Sequence, residues 1–455
     1  MSATVCHPPV WDGPRRIVLK LAIIGRSEFD IEGAMVQRLN IAIVGAGVAG
    51  LAAATALARS GHQVTVFERV SDVRPVGSGL LLQPTGLAAL DRLGLLPAIL
   101  ALGHRIERLE GLTSGGQPIF SVAFADLELG LHALAVHRAA LHRTLADGFA
   151  ISGARLETAA EILRLEPCSD GRLAPADAKG KVWPAADLVI DASGARSVLR
   201  AGVTDVRPRP YRYGAVWANV PDLGLAPGTL AQRYVGARVM VGYLPVGRMP
   251  GGTVPMAALF WSLPTAEHAT WSARFEDWRA DVVRIWPALE TVVAGLAGPE
   301  DFTLASYVHF TAPRPWRRNL VLIGDSAHAT SPQLGQGANN GLIDASVLAD
   351  LLDHAKSLDD ALDGYAAHRR GHVRFYQRAS LMMTPLFQSD SAALALLRDL
   401  VFPRLRSIGY VRREMVRSLA GLKTGPFSSA RAEAIIRPLG LRDARTALLE
   451  PAEGT

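Results

Sequence analysis

The chain has 455 residues and is poor in several features that define large protein classes. Its 2 cysteines, Cys6 and Cys168, are too few and too far apart for a disulfide framework, which favours a reducing cytoplasm. No charge-free apolar run reaches transmembrane length, and no signal-peptide pattern opens the chain. A net charge of +6, spread along the sequence apart from a basic C-terminal region, does not indicate nucleic-acid binding, although it is compatible with mild attraction to anionic substrates or surfaces. We expect a cytoplasmic globular enzyme, monomeric or homodimeric, with no transmembrane segment.

A glycine-rich turn near the start is the most informative segment of the chain. An apolar strand over Ile41–Val44 leads to Gly45, Gly47 and Gly50, and a helical pattern follows over Leu51–Arg59. The first glycine permits a tight turn, the second lets the backbone approach a pyrophosphate, and the third allows close packing of helix on strand. The free N–H groups at the start of that helix would bind the phosphates.

An acidic residue completes this pattern. A second apolar strand, Val64–Phe67, ends at Glu68, 18 residues after Gly50. The Glu68 carboxylate can accept hydrogen bonds from a ribose hydroxyl and disfavours a 2′-phosphate. A glycine-rich turn without a ligand is the alternative, but the complete order of elements predicts an adenine dinucleotide site. We expect Ala49 and Arg69 to belong to it as well.

Two later segments carry the same kind of chemistry. In the first, a strand over Leu188–Ile190 runs into Ser193 and Gly194. In the second, a strand over Leu320–Ile323 delivers a Gly-Asp pair to its carboxyl end, and a proline-containing loop then opens a glycine-rich helix. The residues of this second segment are Gly324, Asp325, Pro332, Gly335, Gly337, Ala338 and Asn339. The aspartate can hold a polyol chain, and the helix start can hold an anion.

Together these segments resemble the class A flavin monooxygenases, the flavoprotein aromatic hydroxylases with the fold of p-hydroxybenzoate hydroxylase. The resemblance covers about residues 40–385. It implies that Gly45, Gly47, Gly50 and Glu68 bind the ADP half of FAD and that Gly324 and Asp325 bind its ribityl chain. It also implies that Pro332, Gly335 and Gly337 lie near the flavin ring and that Arg138 contacts FAD.

The resemblance also implies a fold and a division into domains. The expected fold is α/β, with a Rossmann-like FAD-binding domain, an inserted and largely antiparallel substrate domain, and a C-terminal helical region. The expected ranges are 1–38 for an N-terminal extension, 39–105 with 133–205 and 311–385 for the FAD-binding domain, 106–132 with 206–310 for the substrate domain, and 386–455 for the helical region.

The substrate region has a strand pattern of its own. Short alternating apolar stretches separated by Pro and Gly predict strands over 214–220, 230–234, 239–244 and 256–263. A helical span is expected over 271–285. Trp217, Tyr234, Trp261 and Pro332 are candidate liners of a substrate pocket, although aromatic residues in a sheet more often serve as ordinary core.

The reaction implied by the resemblance depends on the cofactor, and we assign no catalytic side chain. NADPH or NADH would reduce bound FAD, and a flavin C4a-hydroperoxide formed with dioxygen would hydroxylate a small aromatic or heteroaromatic substrate. Epoxidation and Baeyer–Villiger oxidation are variants on the same scaffold. An FAD-dependent dehydrogenase without oxygen transfer and a non-catalytic flavin-fold protein are the alternatives. The chain has no second complete G-x-G-x-x-G unit and no paired-cysteine motif, which disfavours disulfide reductases.

One position departs from the family pattern. The family has Asp-Gly where this chain has Ser193-Gly194. Because that aspartate is associated with FAD and NAD(P)H binding, its loss puts nicotinamide affinity and rate in question. Neutral drift in a working site is the favoured interpretation, and Ser193→Asp, which tests the other one, is expected to speed flavin reduction. Asp191 could compensate in part, although strand alternation should point its side chain elsewhere.

The C-terminal region combines helical apolar spacing with many arginines. Helices are expected over 392–401 and 410–419, with Arg398, Arg404, Arg406 and Arg413 among the interleaved residues. A basic amphipathic helix can lie on a membrane surface or receive an acidic partner. A terminal helix packed on its own domain, with its arginines in solvent, is the favoured interpretation.

Overall fold

The computed structural model describes residues 38–72 and 77–438. The expected N-terminal extension, 1–38, therefore lies outside the described residues except for Arg38, and so does the end of the C-terminal region. The strands are β1 Asn40–Val44, β2 Gln63–Phe67, β3 Gly79–Leu82, β4 His104–Ile106, β5 Arg108–Thr113, β6 Pro118–Ala123, β7 Ala133–His137, β8 Arg155–Glu157, β9 Ile162–Pro167, β10 Leu173–Asp177, β11 Leu188–Asp191, β12 Arg209–Pro210, β13 Tyr213–Pro221, β14 Thr229–Val235, β15 Val239–Arg248, β16 Pro255–Pro264, β17 Phe302–Ala305, β18 Val308–His309, β19 Trp316–Arg317 and β20 Leu320–Leu322. The helices are α1 Val48–Arg59, α2 Pro84–Arg92, α3 Leu96–Leu100, α4 Arg138–Ala150, α5 His268–Ala273, α6 Phe275–Ile285, α7 Glu290–Ala294, α8 Asp325–His328, α9 Gly337–His354, α10 Leu358–Phe387, α11 Ala392–Leu405, α12 Gly409–Leu419 and α13 Ala432–Ile436.

A six-stranded sheet brings the three predicted motifs to one edge. Its order is β19-β20-β11-β1-β2-β8, and every pair is parallel except β19–β20. Val44 pairs with both Phe67 and Asp191, and Asp191 pairs with Leu322, so the central strands end level with one another. The loops that follow these strands are the three motif loops. This parallel arrangement therefore explains why segments far apart in sequence converge on one site.

A seven-stranded sheet forms the second large element, in the order β17-β13-β16-β15-β14-β5-β6. All its pairs are antiparallel except β14–β5. The four strands predicted between residues 214 and 263 lie within β13, β14, β15 and β16, which confirms that part of the sequence analysis. A smaller sheet has the order β3-β7-β4, and both large sheets belong to one compact unit of the described residues.

The two faces of the seven-stranded sheet have different partners. One face packs on an apolar cluster with α5, α6 and α7, in which Trp261 contacts Trp278 edge to face. The other face packs on a cluster that includes Phe387 and Val416 from the C-terminal helices. The helix predicted over 271–285 is divided in two, because Arg274 leaves helical geometry at φ −113° and ψ 37°.

The C-terminal helices form where the sequence predicts them, but their arginines do not all face solvent. α11 and α12 contain the two predicted spans. Arg398, expected in solvent, is fully buried. Its guanidinium donates hydrogen bonds to the main-chain oxygens of Leu386, at the end of α10, and Gly236, just after β14. None of the described helices combines the length and apolarity needed to cross a bilayer.

Candidate cofactor site and active site

The first glycine loop has the close approaches that its residue types predict. Gly45 has φ +105°, and a Cβ there would lie 2.6 Å from the Ala192 carbonyl oxygen. A Cβ on Gly50 would lie 1.9 Å from the Gly45 oxygen. A Cβ on Gly47, in contrast, would meet no atom within 4 Å. The outer two glycines are therefore required by packing, whereas the middle one leaves open space of the kind that a pyrophosphate needs.

The start of α1 and Glu68 lie beside this loop. The first turn of α1 has no side-chain cap and no acidic residue, so its N–H groups remain available to an anion. The Glu68 carboxylate accepts hydrogen bonds from the N–H of Ala46 at 2.9 Å and of Val70 at 3.2 Å. This places the acid at the glycine loop, while Arg69 is exposed next to it.

The second motif is organised by a buried carboxylate. Asp191 accepts hydrogen bonds from the N–H of Ser193 at 3.0 Å, from the Ser193 hydroxyl at 2.5 Å and from the Ser197 hydroxyl. Burial raises the pKa of Asp191, and these three donors oppose that effect. Our expectation that strand alternation points Asp191 elsewhere was wrong, because the chain turns at the end of β11 and folds back over it. Asp191 is thus hydrogen-bonded to the position where the family has its acid, and Gly194 follows with φ +85°.

Arg200 ties the second motif to the third. Its guanidinium is buried and donates to the carbonyl oxygens of Ser326 at 2.9 Å, Ala195 at 3.1 Å and Gly194 at 3.2 Å. The same group lies 4.1 Å from the centre of the Phe310 ring. Five N–H donors in a planar fork suit this bridging of several carbonyls. The sequence analysis did not identify this role, which only the meeting of two distant loops creates.

A buried ionic network lies beneath the Gly-Asp pair. The N–H of Gly324 donates to Asp344 at 2.7 Å, and the same carboxylate contacts His328 Nε2 at 2.6 Å and Arg369 Nε at 2.7 Å. Burial alone would raise the pKa of Asp344, but the charges of His328 and Arg369 hold it well below its usual range. Three elements, α8, α9 and α10, are joined here. Neither Asp344 nor Arg369 was identified from the sequence. Asp344 is marked there only as a charge among apolar residues of α9, and Arg369 is one of several arginines in α10 with nothing to set it apart.

Asp325 follows directly after Gly324, and its side chain is partly open to solvent. Protein atoms around the carboxyl displace water from it, and this desolvation raises the pKa of Asp325 against the opposing charges of His328, Arg138 and Arg200. A Cβ on Gly337 would lie 3.9 Å from Asp325 Oδ1, so the carboxylate faces the start of α9. We call the space between the three motif loops and the start of α9 the cleft.

The start of α9 is open, as that of α1 is. Gly335 has φ +61°, and the first turn of α9 has neither a side-chain cap nor an acidic residue. Pro332 and Gly337 are exposed there, and Ala338 is half-buried. Asn339 differs, because its buried amide accepts from the Gln83 N–H at 2.9 Å and donates to Leu81 and Gly335 oxygens. Its side chain therefore supports the loop and does not reach the cleft.

Arg138 and an aromatic group border the same cleft. Arg138 begins α4, and its side chain lies over Gly77, whose added Cβ would be 3.2 Å from Arg138 Nε. Its charge acts on both Asp325 and the Tyr307 phenol. Burial raises the pKa of Tyr307 to about 12. Trp217 donates its indole N–H to the Tyr307 hydroxyl at 3.3 Å and stacks on Phe260 with centroids 4.5 Å apart. Tyr307 was missed because one tyrosine between short strands has no distinguishing pattern.

Two of the predicted pocket residues lie elsewhere. Trp261 follows Phe260 in β16 and therefore points to the opposite face, where it packs on α6. Tyr234 is buried between Phe120 and Phe387, within an aromatic cluster under the C-terminal helices. Neither side chain lines the cleft, because the choice of face depends on which helices cover the sheet. Trp217 is the predicted aromatic residue that the structure brings to Arg138 and Tyr307.

The residues of the cleft fit a flavin dinucleotide. Two uncapped helix starts, an open glycine position, an acid at the end of β2 and a second acid at the end of β20 match the parts of an extended dinucleotide. An aromatic wall and an arginine complete one end of the cleft. This geometry defines an FAD-binding enzyme.

Comparison with known proteins agrees with that class. The model of the FAD binding domain family matches residues 38–380, and the chain belongs to this family. It is 34% identical over 340 residues to 3-amino-4-hydroxybenzoate 2-monooxygenase of Streptomyces cremeus, covering 70% of this chain and 80% of that protein. It is 28% identical over 347 residues to FAD-dependent urate hydroxylase of Klebsiella pneumoniae, covering 73% and 86%.

Solved structures show the same fold. HpxO of Klebsiella pneumoniae, in complex with FAD and uric acid, superposes with a TM-score of 0.72 at 23% identity, covering 87% of this chain and 100% of that one. The chain is thus an FAD-dependent monooxygenase of the aromatic hydroxylase type, as the sequence analysis predicted. NADPH or NADH as electron donor is typical of the family.

Proposed function

We propose that the enzyme hydroxylates a small planar aromatic or heteroaromatic molecule that carries a hydroxyl or amino substituent. The relatives supply the class: one acts on an aminohydroxybenzoate and another on urate. The observation that carries the proposal is the group of Trp217, Tyr307 and Arg138 at one end of the cleft. An aromatic surface, a phenol and a cation together suit a flat, electron-rich and polar ring.

Bound FAD would supply the chemistry, by accepting hydride from NADPH or NADH and activating dioxygen. We propose that Gly45, Gly47, Ala49, Gly50, Glu68 and Arg69 hold its ADP half, with Arg138, Ser193 and Gly194 beside it, and that Gly324, Asp325, Pro332, Gly335, Gly337, Ala338 and Asn339 hold the remainder. Of these, Asn339 would contribute through its backbone. The uncapped N–H groups at the start of α9 would stabilise negative charge on the cofactor.

The seven-stranded sheet would form the substrate wall. In this proposal residues 106–132 and 206–310 act as the substrate domain, set against the FAD-binding segments 39–105, 133–205 and 311–385. The Trp217 indole occupies an acceptor site on Tyr307, so the phenol proton of Tyr307 is free to donate to a substrate oxygen. Arg138 would favour the ionised form of a phenolic substrate, which is the more electron-rich form.

The test is a visible spectrum of purified protein, followed anaerobically while NADPH and then NADH are added. We expect a flavin spectrum that bleaches and that recovers in air. Oxygen uptake should then rise when the aromatic substrate is added, and one product molecule should form for each nicotinamide oxidised. Reduced flavin that persists in air, with no aromatic compound stimulating oxygen uptake, would favour a dehydrogenase. A colourless protein that FAD cannot reconstitute would overturn the assignment. Product structure would separate hydroxylation from epoxidation and Baeyer–Villiger oxidation.

The cellular setting is also a proposal. Two cysteines in 455 residues suit a reducing cytoplasm, where NADPH and NADH are available. A monomer or a homodimer remains our expectation, and light scattering of the purified protein would decide between them.

A further inference from the structure

An apolar stripe on α11 faces solvent. Leu396, Leu397, Leu400 and Val401 are exposed by 60%, 51%, 48% and 36%, at spacings that place them on one side of the helix. Globular proteins normally turn such a stripe toward their core. Here the buried side chains of α11 are Ala395 and Arg398 instead. The helix therefore presents its larger apolar side chains outward.

Two more large apolar side chains are exposed just past the end of the helix. Ile408 and Tyr410 are exposed by 50% and 57%, and Ile408 is held against the helix end by a hydrogen bond from its N–H to the Leu405 oxygen. We call Leu396, Leu397, Leu400, Val401, Ile408 and Tyr410 the α11 patch. Contiguous exposed apolar surface of this kind marks an interaction site more often than single exposed residues do.

Arg398 fixes the orientation of this helix. Its guanidinium donates to the oxygens of Leu386 at 3.0 Å and Gly236 at 2.9 Å, and it pairs with Asp399 at 2.7 Å. It also lies 4.9 Å from the centre of the Tyr234 ring. Turning the apolar stripe inward would remove a buried cation from all these partners, at high cost in free energy. The patch is therefore held outward by the fold.

Three arginines near the α11 patch are not balanced by acidic side chains among the described residues. Within the described part of the chain, Arg404, Arg406 and Arg413 form no ion pair. The neighbouring acids are already engaged: Asp399 with Arg398, Asp126 with Arg412, and Glu414 with Arg417 and Lys423. A self-complementary contact between two copies would bring these unpaired arginines toward one another, which charge repulsion opposes. An anionic surface would satisfy them.

We propose that α11 and the turn into α12 dock on the surface of an anionic lipid membrane. The leucines and Tyr410 would enter the interface between headgroups and acyl chains, and the arginines would contact lipid phosphates. The protein would lie on the bilayer without crossing it. Apolar contact and charge would both be needed, since neither alone holds a protein firmly on a membrane.

The test is sedimentation of the purified holoenzyme with vesicles of phosphatidylcholine alone and of phosphatidylcholine mixed with phosphatidylglycerol. We expect binding to the anionic vesicles to be stronger by about tenfold or more, and to weaken as salt is raised. The double variant Leu397→Asn with Leu400→Asn should lose binding to both kinds of vesicle. The double variant Arg404→Gln with Arg406→Gln should lose the preference for anionic lipid. Flavin content confirms that each variant is folded.

Leu129→Asn with Ile151→Asn is the matched control, since these side chains are 89% and 79% exposed outside the patch. It should bind vesicles as the unmodified enzyme does. Failure of the unmodified enzyme to bind anionic vesicles would overturn the proposal, and so would equal binding by the patch variants. A dimer that the leucine substitutions dissociate, in a protein that ignores vesicles, would instead assign the patch to a second copy of the chain.

Discussion

Glycines of one motif serve different purposes, and the space around each shows which. Gly50 is required by packing, because a side chain there would strike the Gly45 carbonyl. Gly47 has an ordinary φ and open space, so the fold itself would accept a side chain at this position. A requirement for glycine at Gly47 can therefore come only from what approaches the loop from outside.

We predict that Gly47→Val gives a folded protein whose affinity for FAD falls by at least about tenfold, because the side chain fills the phosphate space. Gly50→Val is the contrast: it should lower the free energy of unfolding by about 3 kcal/mol or more. Flavin absorbance after purification and denaturant unfolding measure the two effects. Full flavin occupancy in Gly47→Val would contradict the placement of the pyrophosphate.

The contacts of Ser193 change what should be expected of an acid there. From sequence alone, Ser193→Asp is expected to speed flavin reduction, but the structure places the Ser193 hydroxyl as a donor to Asp191. A second carboxylate would repel Asp191 and remove that donor. We now predict that Ser193→Asp slows anaerobic reduction by NADPH or NADH, and that adding Asp191→Gly restores it. If the flavin of the single variant is reduced faster than that of the unmodified enzyme, the expected repulsion between the two carboxylates is contradicted.

At the scale of elements, the seven-stranded sheet separates two tryptophans by face. Trp217 borders the cleft, while Trp261 packs under α6. We predict that Trp217→Leu raises the Kd of the aromatic substrate by about tenfold, with little change in stability. Trp261→Leu should leave that Kd unchanged and lower the free energy of unfolding by about 2 to 3 kcal/mol. Substrate titration of the flavin spectrum and denaturant unfolding measure these effects, and an exchange of the two outcomes would reverse the assignment of faces.

The Asp344 network joins α8, α9 and α10, so removing it should lower the free energy of unfolding. The folded-state pKa of Asp344 is lowered below that of the unfolded chain, so its contribution is full above about pH 4 and is lost as the pH falls through the folded-state pKa. We predict that Asp344→Asn lowers the free energy of unfolding by about 3 to 5 kcal/mol at pH 7, and by less in acid.

Asp363→Asn is the control for that change, because Asp363 pairs with Arg314 on the surface and both side chains are exposed. It should cost about 1 kcal/mol or less. Denaturant unfolding at several pH values makes the comparison. Equal losses for the two variants would show that the buried network does not stabilise the protein.

At the scale of the whole molecule, bound FAD should stabilise the folded chain. Its proposed contacts come from segments that are more than 250 residues apart in the sequence, between Gly45 and Gly337. A ligand that binds only the folded state raises stability by about 2.7 kcal/mol at a hundredfold excess over its Kd. We predict that FAD raises the thermal midpoint of the flavin-free protein, and that Asp325→Ala abolishes most of this rise.

Asp205→Ala, in an exposed loop, is the matched control and should respond to FAD as the unmodified protein does. The measurement is a thermal melt with and without FAD, recorded for the three proteins. An undiminished rise in Asp325→Ala would remove this carboxylate from the cofactor site.

The sequence by itself determined the class of the protein, through the motifs that end its parallel strands. The order of strand, glycines, helix, strand and acid is local, and parallel strands necessarily bring their carboxyl ends together. The Gly-Asp pair at Asp325 could therefore be predicted without a structure. Four strands of the seven-stranded sheet, β13 to β16, also follow from alternation and turn residues, whereas β5, β6 and β17 were not predicted.

Only the tertiary structure decided which side chains act together. The contact of Arg200 with the Ser326 oxygen, the pairing of Asp344 with Arg369 and the separation of Trp217 from Trp261 all depend on packing between different segments. Local patterns indicate a residue's backbone conformation and whether its side chain is buried, but they do not indicate which distant side chain it contacts. Partners are chosen by how the layers pack, which is a property of the folded chain as a whole.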